Sequence, residues 1–333
     1  MRGSGFEVQG SRIGGTYTHE VPLLYVFACI SFVVGLLLGS FLNVCISRLP
    51  GHESIVTPRS HCMVCGHTIR WYDNVPVLSW VMLRGRCRDC SVGVSWRYPA
   101  VEIAFASWLL VVTALCFRAL LVGLYVQLTG TQQASIALLG ISVAVAGFLL
   151  IGLMVMDWQT QRLPDAFTLT GIVIGFLLIC VHAFFLVPGE GDIVLNTTHQ
   201  LRLSSPGSFT AHGNVFLTGT EALIMGRIAA IAGAALLLLT VRWIYKAVRK
   251  QDGMGLGDVK LLAMIAAFLG FGESLVALFL GVVAASLYGL TMVARGKAWG
   301  ATRLPFGSFL AAGGLFAALF GAMIVGWYSD LLR

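Results

Sequence analysis

Residues 135–157 read SIALLGISVAVAGFLLIGLMVMD, an apolar run that reaches its first charged side chain only at Asp157. About 20 such residues form a helix long enough to cross the hydrocarbon core of a bilayer. The whole chain has this character, since 57% of its 333 residues are hydrophobic and only 11% are charged. An ordinary soluble domain carries about 25% charged residues. The sequence therefore predicts a membrane protein in which one span ends on a carboxylate.

The hydropathy pattern predicts an all-α polytopic fold with about eight transmembrane helices, and hence a lipid bilayer as partner. The sixth span is the shortest, so we expect it to be shielded by neighbouring helices or to be partly re-entrant. The predicted spans are 22–45, 98–117, 135–156, 166–187, 221–243, 259–272, 274–294 and 305–327.

Basic residues occur mainly in alternate connections between the spans. Segment 46–97 carries seven arginines, whereas 119–134 has no cation and 188–220 has only Arg202. The positive-inside rule then places both termini outside and 46–97 in the cytoplasm. The net charge of +7 comes from these dispersed loops and not from one basic face, so no nucleic-acid partner is expected.

Four of the eight cysteines form two pairs, in HCMVC at 61–65 and RCRDC at 86–90. The C-x2-C-x21-C-x2-C spacing favours a closed, tetrahedral and therefore structural zinc site. Such a site would staple a segment too small to fold around its own core, and Arg84, Arg86 and Arg88 could balance its charge. Unligated thiols or a redox pair remain the alternatives. The predicted ligands are Cys62, Cys65, Cys87 and Cys90.

The chain therefore divides into four predicted parts. These are a polar N-terminal tail at 1–21, a first transmembrane helix at 22–45, a cytoplasmic zinc-binding segment at 46–97, and a seven-helix membrane catalytic domain at 98–333 with an extracytoplasmic loop at 188–220.

Two aspartates are predicted to be catalytic. Asp157 ends the third span in VMDWQTQRLPD, and Asp258 opens the sixth in GMGLGD. The predicted topology puts both at the cytoplasmic face, where they can meet. Two carboxylates in contact do not both ionise readily, so they share a proton, and such a pair can activate water and polarise a peptide carbonyl. The alternative is that both merely cap helices.

The glycines around Asp258 suggest a place for substrate. Gly255 and Gly257 lack side chains, which would let an extended peptide backbone approach the carboxylate closely. Lys260 could dock a substrate carbonyl or anchor the helix at the interface. Among the other charged residues, Glu102 and Arg118 are expected to snorkel to the two interfaces from the second span.

The sequence resembles the bacterial type IV prepilin peptidases, also called leader peptidase/N-methyltransferases, which are membrane aspartic proteases of the GxGD class. The resemblance covers nearly the whole chain and rests on several motifs in the same order. The motifs are GLLLGSFLNVCISRLP at 35–50, CGHTIRWYDNVPVLSWVMLRGRCRDC at 65–90, SWRYPAVE at 95–102, MDWQTQRLPD at 156–165, GMGLGDVKLLAMIAAFLG at 253–270 and LPFGSFLAAGG at 304–314.

The resemblance implies that Asp157 and Asp258 are the catalytic pair and that the four paired cysteines bind zinc. It implies cleavage of prepilins and pseudopilins at the cytoplasmic side of the bacterial inner membrane. It also implies methylation of the new amino terminus with S-adenosylmethionine, for which no residue here can be assigned. The chain departs from the family at Met63 and Ser308, where proline is usual, at Arg227, where the family tends to be apolar, and in the length of the 188–220 loop.

The residues alone are also compatible with two other functions. Another GxGD protease, cleaving within other transmembrane segments, would use the same two aspartates, but its relatives generally lack the double cysteine motif. A proton-coupled transporter would use Asp157 and Asp258 as proton carriers, and would place them near the bilayer midplane.

Overall fold

The computed structural model describes residues 17–186, 219–250, 255–296 and 304–332. The predicted N-terminal tail and 188–220 loop lie almost wholly outside these ranges. Seven of the described helices are long and apolar enough to cross a membrane. Within the described ranges the α-helices are α1 (Tyr17–Arg48), α2 (Leu78–Met82), α3 (Arg97–Val126), α4 (Gly130–Thr160), α5 (Asp165–Val181), α6 (Gly219–Arg249), α7 (Leu256–Leu269), α8 (Phe271–Ala294) and α9 (Phe306–Leu331).

α1 and α3 pack against each other along most of their length. Two glycines four residues apart make this close approach possible. A Cβ atom on Gly35 would lie 2.5 Å from the Cα of Ala106, and one on Gly39 would lie 2.7 Å from the Cα of Glu102. Small residues at this spacing are a common device for close helix contact in membranes. The contact brings Glu102 directly against α1.

α7 is the short helix predicted for the sixth span. Its 14 residues rise about 21 Å, less than the roughly 30 Å of a hydrocarbon core. It packs against α5, α6, α8 and α9, and ten of its residues are buried. Shielding by neighbouring helices therefore accounts for its length. α7 ends at Gly270, whose φ of +115° suits glycine, and α8 begins at the next residue.

Arg227, on α6, has a defined place at this end of α7. Its guanidinium Nη1 donates to the carbonyl oxygen of Ala266 at 3.2 Å and interacts electrostatically with Glu273 of α8. The last carbonyls of a helix lack partners within the helix, and a cation there satisfies them. Arg227 thus ties α6 and α8 to the C-terminal end of α7.

The opposite ends of the helices meet in a polar region that we call the carboxylate end. It contains the C-terminal ends of α1 and α4 and the N-terminal ends of α3, α5, α7 and α9. Arg97 of α3 donates to Ser47 of α1 at 3.0 Å and to Gln159 of α4 at 2.6 Å. Lys260 of α7 lies 2.6 Å from Asp165 of α5. These contacts hold the helix ends in register.

Candidate active site and metal centre

Asp157 and Asp258 are brought together at the carboxylate end. Asp157 lies in the last turn of α4 and Asp258 in the first turn of α7. Both side chains are buried, with 5% and 9% of their surface exposed, and the two carboxylates interact electrostatically. The backbone of Gly255 donates a hydrogen bond to Asp258. Both acids therefore sit at helix ends and not in the middle of a span.

Ser308, at the start of α9, contacts Asp157 twice. Its backbone N–H donates to Oδ2 of Asp157 at 2.7 Å, and its hydroxyl lies 3.0 Å from the same oxygen. The hydroxyl is also 2.9 Å from the carbonyl oxygen of Met154. A hydroxyl has one hydrogen, so it can donate to ionised Asp157, or donate to Met154 while accepting from protonated Asp157. Ser308 can therefore bond to Asp157 in either protonation state.

Glycines pack tightly around the pair. A Cβ on Gly307 would lie 3.0 Å from the carboxyl carbon of Asp157 and 3.0 Å from Leu163. A Cβ on Gly257 would lie 3.0 Å from Leu163 as well. Leu163 thus fills the space beside both glycines, which lets α9 and α7 approach Asp157. The space beside Gly257 is therefore already filled by Leu163.

The other two residues predicted to bind substrate have different surroundings. Gly255 is the extended residue that precedes α7, and among the described residues a Cβ there would meet nothing closer than 3.7 Å. Lys260 has its Nζ 2.6 Å from Oδ1 of Asp165, and both side chains are partly exposed. An exposed ion pair of this kind contributes about 0–1 kcal/mol. The ion pair fixes the position of the Lys260 side chain near the start of α7.

Aromatic residues fix the backbone on both sides of the Asp157–Ser308 contact. Trp158 lies next to Asp157, and Phe309 lies next to Ser308. Their ring centroids are 6.1 Å apart, and Tyr288 of α8 lies 5.6 Å from Trp158 and 5.3 Å from Phe309. Contacts of this geometry add stability beyond buried area. They hold the ends of α4, α8 and α9 together.

The four paired cysteines form a cluster between α1 and α3. Their sulfur atoms all lie within 4.8 Å of one another, and those of Cys62 and Cys90 are 3.8 Å apart. Four sulfurs bound to zinc at about 2.3 Å stand about 3.8 Å apart at the corners of a tetrahedron. The separations therefore fit a tetrahedral tetrathiolate ion site.

The two cysteine pairs have the same backbone structure. The amide of Cys62 donates to the carbonyl of His67 at 2.9 Å, and that of Cys87 donates to Val92 at 2.8 Å. The residue after each pair, Gly66 or Ser91, has a positive φ. Two matching turns that point their sulfurs at one centre are typical of zinc knuckles.

Of the three arginines predicted to balance the charge of the cluster, Arg88 has a different partner. Arg88 forms a bidentate contact with Asp73, with nitrogen–oxygen distances of 2.8 and 2.5 Å, instead of facing the sulfurs. This hydrogen bond holds the pKa of Asp73 below its usual value. Arg70 lies 3.7 Å from Asp89. These pairs link the first cysteine turn to the second.

The prediction that Glu102 snorkels to an interface is wrong. Glu102 is only 7% exposed, and its Oε2 accepts a hydrogen bond from the backbone N–H of Val77 at 2.7 Å. The side chains of Ser40 and Asn43 on α1 also hydrogen-bond to it. Periodicity could not reveal this, because it depends on the glycine contact between α1 and α3 and on the fold of the cysteine segment.

Comparison with protein families finds two matching models. Residues 33–117 match the bacterial peptidase A24 N-terminal domain, which includes the cysteine cluster and Glu102. Residues 202–290 match the type IV leader peptidase family, which includes Asp258. Asp157 lies between the two matched regions.

Curated relatives match most of the chain, and each is named prepilin leader peptidase/N-methyltransferase. A protein of Burkholderia pseudomallei is 32% identical over 87% of this chain and 84% of its own length. One from Pseudomonas putida is 31% identical, covering 92% and 95%. One from Aeromonas salmonicida is 30% identical, covering 93% and 96%. No solved structure matches the chain.

Proposed function

The chain belongs to the prepilin leader peptidase/N-methyltransferase family, and on this premise we propose that Asp157 and Asp258 are its catalytic pair. The protein is a bifunctional membrane protease and methyltransferase that cleaves prepilin leaders and methylates the new amino terminus. The observation that supports the assignment is the burial of two interacting carboxylates, from α4 and α7, at one end of the helices.

The pair acts as an acid and a base toward one water molecule. Because the two carboxylates are in electrostatic contact, a singly protonated pair is the favoured state. The ionised partner takes a proton from water as the water attacks the scissile carbonyl, and the protonated partner donates toward the carbonyl oxygen. Burial excludes other water and strengthens both interactions.

Ser308 supports this exchange of protons. When Asp157 is ionised, the amide and hydroxyl of Ser308 both donate to it, and when Asp157 is protonated the hydroxyl turns to Met154. Ser308 is therefore a positioning residue that keeps the carboxylate in one orientation while its charge changes.

We assign substrate contacts to Gly255 and Lys260, with Gly257 shaping the turn between them. Gly255 has no side chain beside the Asp258 carboxylate, where a Cβ would lie 3.7 Å from Oδ2, so an extended leader can approach that carboxylate. Lys260 stands on the next turn of α7, held by Asp165. The substrates are prepilins and pseudopilins, whose cleavage frees an amino terminus beside the pair.

The cysteine cluster is the proposed site of a structural Zn²⁺. Its sulfur separations fit a closed tetrahedron with no vacant position, so the ion would fold the segment and would not activate water. The methylation requires a donor such as S-adenosylmethionine, which supplies an electrophilic methyl group when bound.

The multi-pass chain is proposed to lie in the bacterial inner membrane with the carboxylate end facing the cytoplasm. The support is the concentration of cations at the same end, where α1, α6 and α8 are followed or ended by Arg48, Arg249 and Arg295.

Replacing either carboxylate tests the assignment. We expect Asp157→Asn and Asp258→Asn each to lower prepilin cleavage at least 1000-fold, because the remaining group cannot supply both acid and base. Cleavage is measured on purified protein by mass spectrometry of the new amino terminus.

The matched control is Asp330→Asn, an exposed aspartate near the far end of α9, which should cleave at the wild-type rate. Zinc content and the unfolding temperature of all three variants should equal those of the wild type. Undiminished cleavage by either dyad variant would show that the pair is not catalytic.

A further inference from the structure

A cavity of about 530 Å³ lies between the cysteine segment and the membrane helices α1 and α3. Its volume falls within the roughly 300–1,000 Å³ of small-molecule sites. The aspartate pair does not line it. Ser40, Asn43 and Ser47 of α1 and Tyr98 and Glu102 of α3 form the wall on the membrane side.

The wall of this cavity on the membrane side presents hydrogen-bond acceptors. Asn43 is 3% exposed, and its Nδ2 donates to the carbonyl of Tyr98 at 2.9 Å. The Oδ1 of Asn43 is buried and has no hydrogen-bond partner among the described residues. Beside it lies the buried carboxylate of Glu102. A buried acceptor without a donor needs a partner, and the Glu102 carboxylate, which accepts from Val77, Ser40 and Asn43, has no cation bonded to it among the described residues.

Val77 shows that the cysteine segment is held to this carboxylate under strain. Val77 has φ of +59° and ψ of −50°, a conformation that a β-branched residue rarely adopts. Its N–H donates to Glu102 at 2.7 Å. Strained residues of this kind concentrate at functional sites. The contact fixes one oxygen of Glu102 and leaves the carboxylate on the cavity wall.

Three of the four arginines that line the cavity have other partners. Arg88 binds Asp73, and Arg70 lies near Asp89. Arg48 donates to the carbonyls of Ser54 and Pro58 at 2.9 and 2.7 Å. The other titratable side chains on the wall are Glu53, His61, His67, Arg86, Tyr98, Cys62 and Cys87. Among the described residues, none of the cations is bonded to Glu102.

We propose that Asn43 and Glu102 bind the new amino terminus of the cleaved substrate and that methyl transfer takes place in this cavity. The inference rests on the proposed function, because a primary ammonium is the product of leader cleavage. An ammonium offers three donors and one positive charge, which match the free Asn43 oxygen and the Glu102 carboxylate.

The chemistry balances with groups named here. Glu102 takes one proton from the ammonium, and the amine nitrogen then carries a free electron pair. The nitrogen forms a bond to the methyl carbon of a sulfonium donor, and the carbon–sulfur bond breaks with its electrons left on sulfur. The products are a monomethylated secondary ammonium and a neutral thioether. Glu102 later returns its proton to water.

The amino terminus can reach this cavity from the aspartate pair. Arg97 bonds to Ser47, which lines the cavity, and to Gln159, two residues after Asp157 on α4. The cavity and the pair therefore lie at the same end of the helices, on either side of Arg97. A freed chain end has to move, while the rest of the substrate stays bound.

The test is Glu102→Gln in the full-length protein, incubated with purified prepilin and S-adenosylmethionine. Glutamine keeps an oxygen for the amide of Val77 but has no negative charge. We expect cleavage within twofold of wild type and methylation lowered at least 100-fold, both read by mass spectrometry. Binding of S-adenosylhomocysteine, measured by calorimetry, should be retained. Glu221→Gln, an exposed glutamate on α6 that does not line the cavity, is the matched control and should leave both activities unchanged.

A pH series separates proton transfer from a structural role. Free α-amino groups ionise near pH 8, so between pH 7 and 9 the neutral fraction rises about tenfold. The residual methylation of Glu102→Gln should rise by about this factor, and more than that of the wild type. A Glu102→Gln variant that methylates at the wild-type rate would overturn the proposal.

A second variant covers a failure to fold. If Glu102→Gln loses cleavage and methylation together, Asn43→Val decides, because it removes the free oxygen and leaves the contact between Val77 and Glu102 in place. It also removes the hydrogen bonds of Asn43 to Tyr98 and Glu102, so Ser40→Ala, which removes a donor to Glu102 but not the free oxygen, should methylate better than Asn43→Val. Methylation lowered at least tenfold with intact cleavage supports the site. Wild-type methylation, or equal loss of both activities, refutes it. In each case, cleavage reports separately on the aspartate pair.

Discussion

Ser308 hydrogen-bonds to one member of the aspartate pair and so influences the charge of that pair. It is the only described residue on α9 that hydrogen-bonds to Asp157, and its hydroxyl is shared between Asp157 and Met154. A donor to an ionised carboxylate stabilises the charged form. In the proposed mechanism, the singly ionised pair therefore depends on this residue.

We predict that Ser308→Ala lowers kcat/KM for prepilin cleavage roughly tenfold, as expected when a charged hydrogen-bond acceptor loses one donor. The backbone N–H remains, so activity is not abolished. Because the singly ionised pair becomes less stable than the doubly protonated one, the acid limb of the rate profile should move to higher pH by about one unit. Initial rates between pH 4 and 9 measure both effects.

Ser274→Ala is the control, because Ser274 is also fully buried and donates to the carbonyl of Phe271 at the far end of the helices. It should leave the pH profile unchanged. If the Ser308 and Ser274 variants share one profile, the hydroxyl of Ser308 does not act on the pair.

Single residues differed in how well the sequence predicted them. Asp157 and Asp258 stand out because an acid at the end of an apolar run needs a reason to be there. Ser308 gave only a departure from the family pattern, since a serine near a helix start commonly serves as a cap. Its contact with Asp157 spans 151 positions in the chain, which no local pattern encodes.

At the scale of elements, the cysteine segment joins two membrane helices and has little apolar core of its own. Many of its large apolar side chains are exposed, including Met63, Trp71 and Trp96. Its order instead comes from the cysteine turns, the arginine–aspartate pairs and the contact of Val77 with Glu102. We therefore expect the proposed metal ion to supply much of the folding free energy of this segment.

We predict about one zinc per chain in the purified protein, and much less in Cys62→Ser, as measured by elemental analysis. Without the ion, the 52–96 region should be cut at least tenfold faster by trypsin, because its backbone opens, while the membrane helices stay protected. A strong chelator applied to the wild type should have the same effect.

Cys116→Ser provides the comparison. Cys116 is partly buried on α3, outside the cluster, and its replacement should leave zinc content and proteolysis as in the wild type. A Cys62→Ser protein that retains both a full zinc content and resistance to trypsin would contradict a structural zinc.

Hydropathy predicted where the membrane helices lie, but it did not predict the residues at which they end. Every predicted span corresponds to a helix, but α3, the helix of the second span, runs to Val126 and not to 117, because the charged Arg118 interrupts the apolar run without ending the helix. The break between α7 and α8, the helices of the sixth and seventh predicted spans, falls at Gly270, where glycine can adopt a positive φ. Hydropathy does not reveal this turn, because the residues before and after it are apolar.

For the whole molecule, the decisive feature is that α7 runs from the carboxylate end to the opposite end of the helices although it has only 14 residues. Its first turn carries Asp258 at the carboxylate end, and its last turn meets Arg227 and Gly270 at the opposite end. Seven of the described helices meet the length and composition expected of a membrane span, and we propose that α7 makes an eighth crossing, as the sequence predicts. A transporter would need the two acids near the midplane, and the helix ends that hold them are instead at one face.

An even number of crossings fixes a testable arrangement of the chain. With the carboxylate end in the cytoplasm, we predict that both chain ends lie outside and that the connection between α8 and α9 lies inside. Alkaline phosphatase fused after Arg333 of the full chain should be active, since it folds only outside the cytoplasm, and a green fluorescent protein at the same place should be dark. A protease site inserted after Gly296 should be cut only by protease added to inverted vesicles. If α7 turned back without crossing, both signals would reverse while those from a site after Arg249 stayed the same. The signals after Gly296 and Arg333 therefore test whether α7 crosses, whereas the site after Arg249 tests whether Asp258 begins α7 on the same face as Asp157.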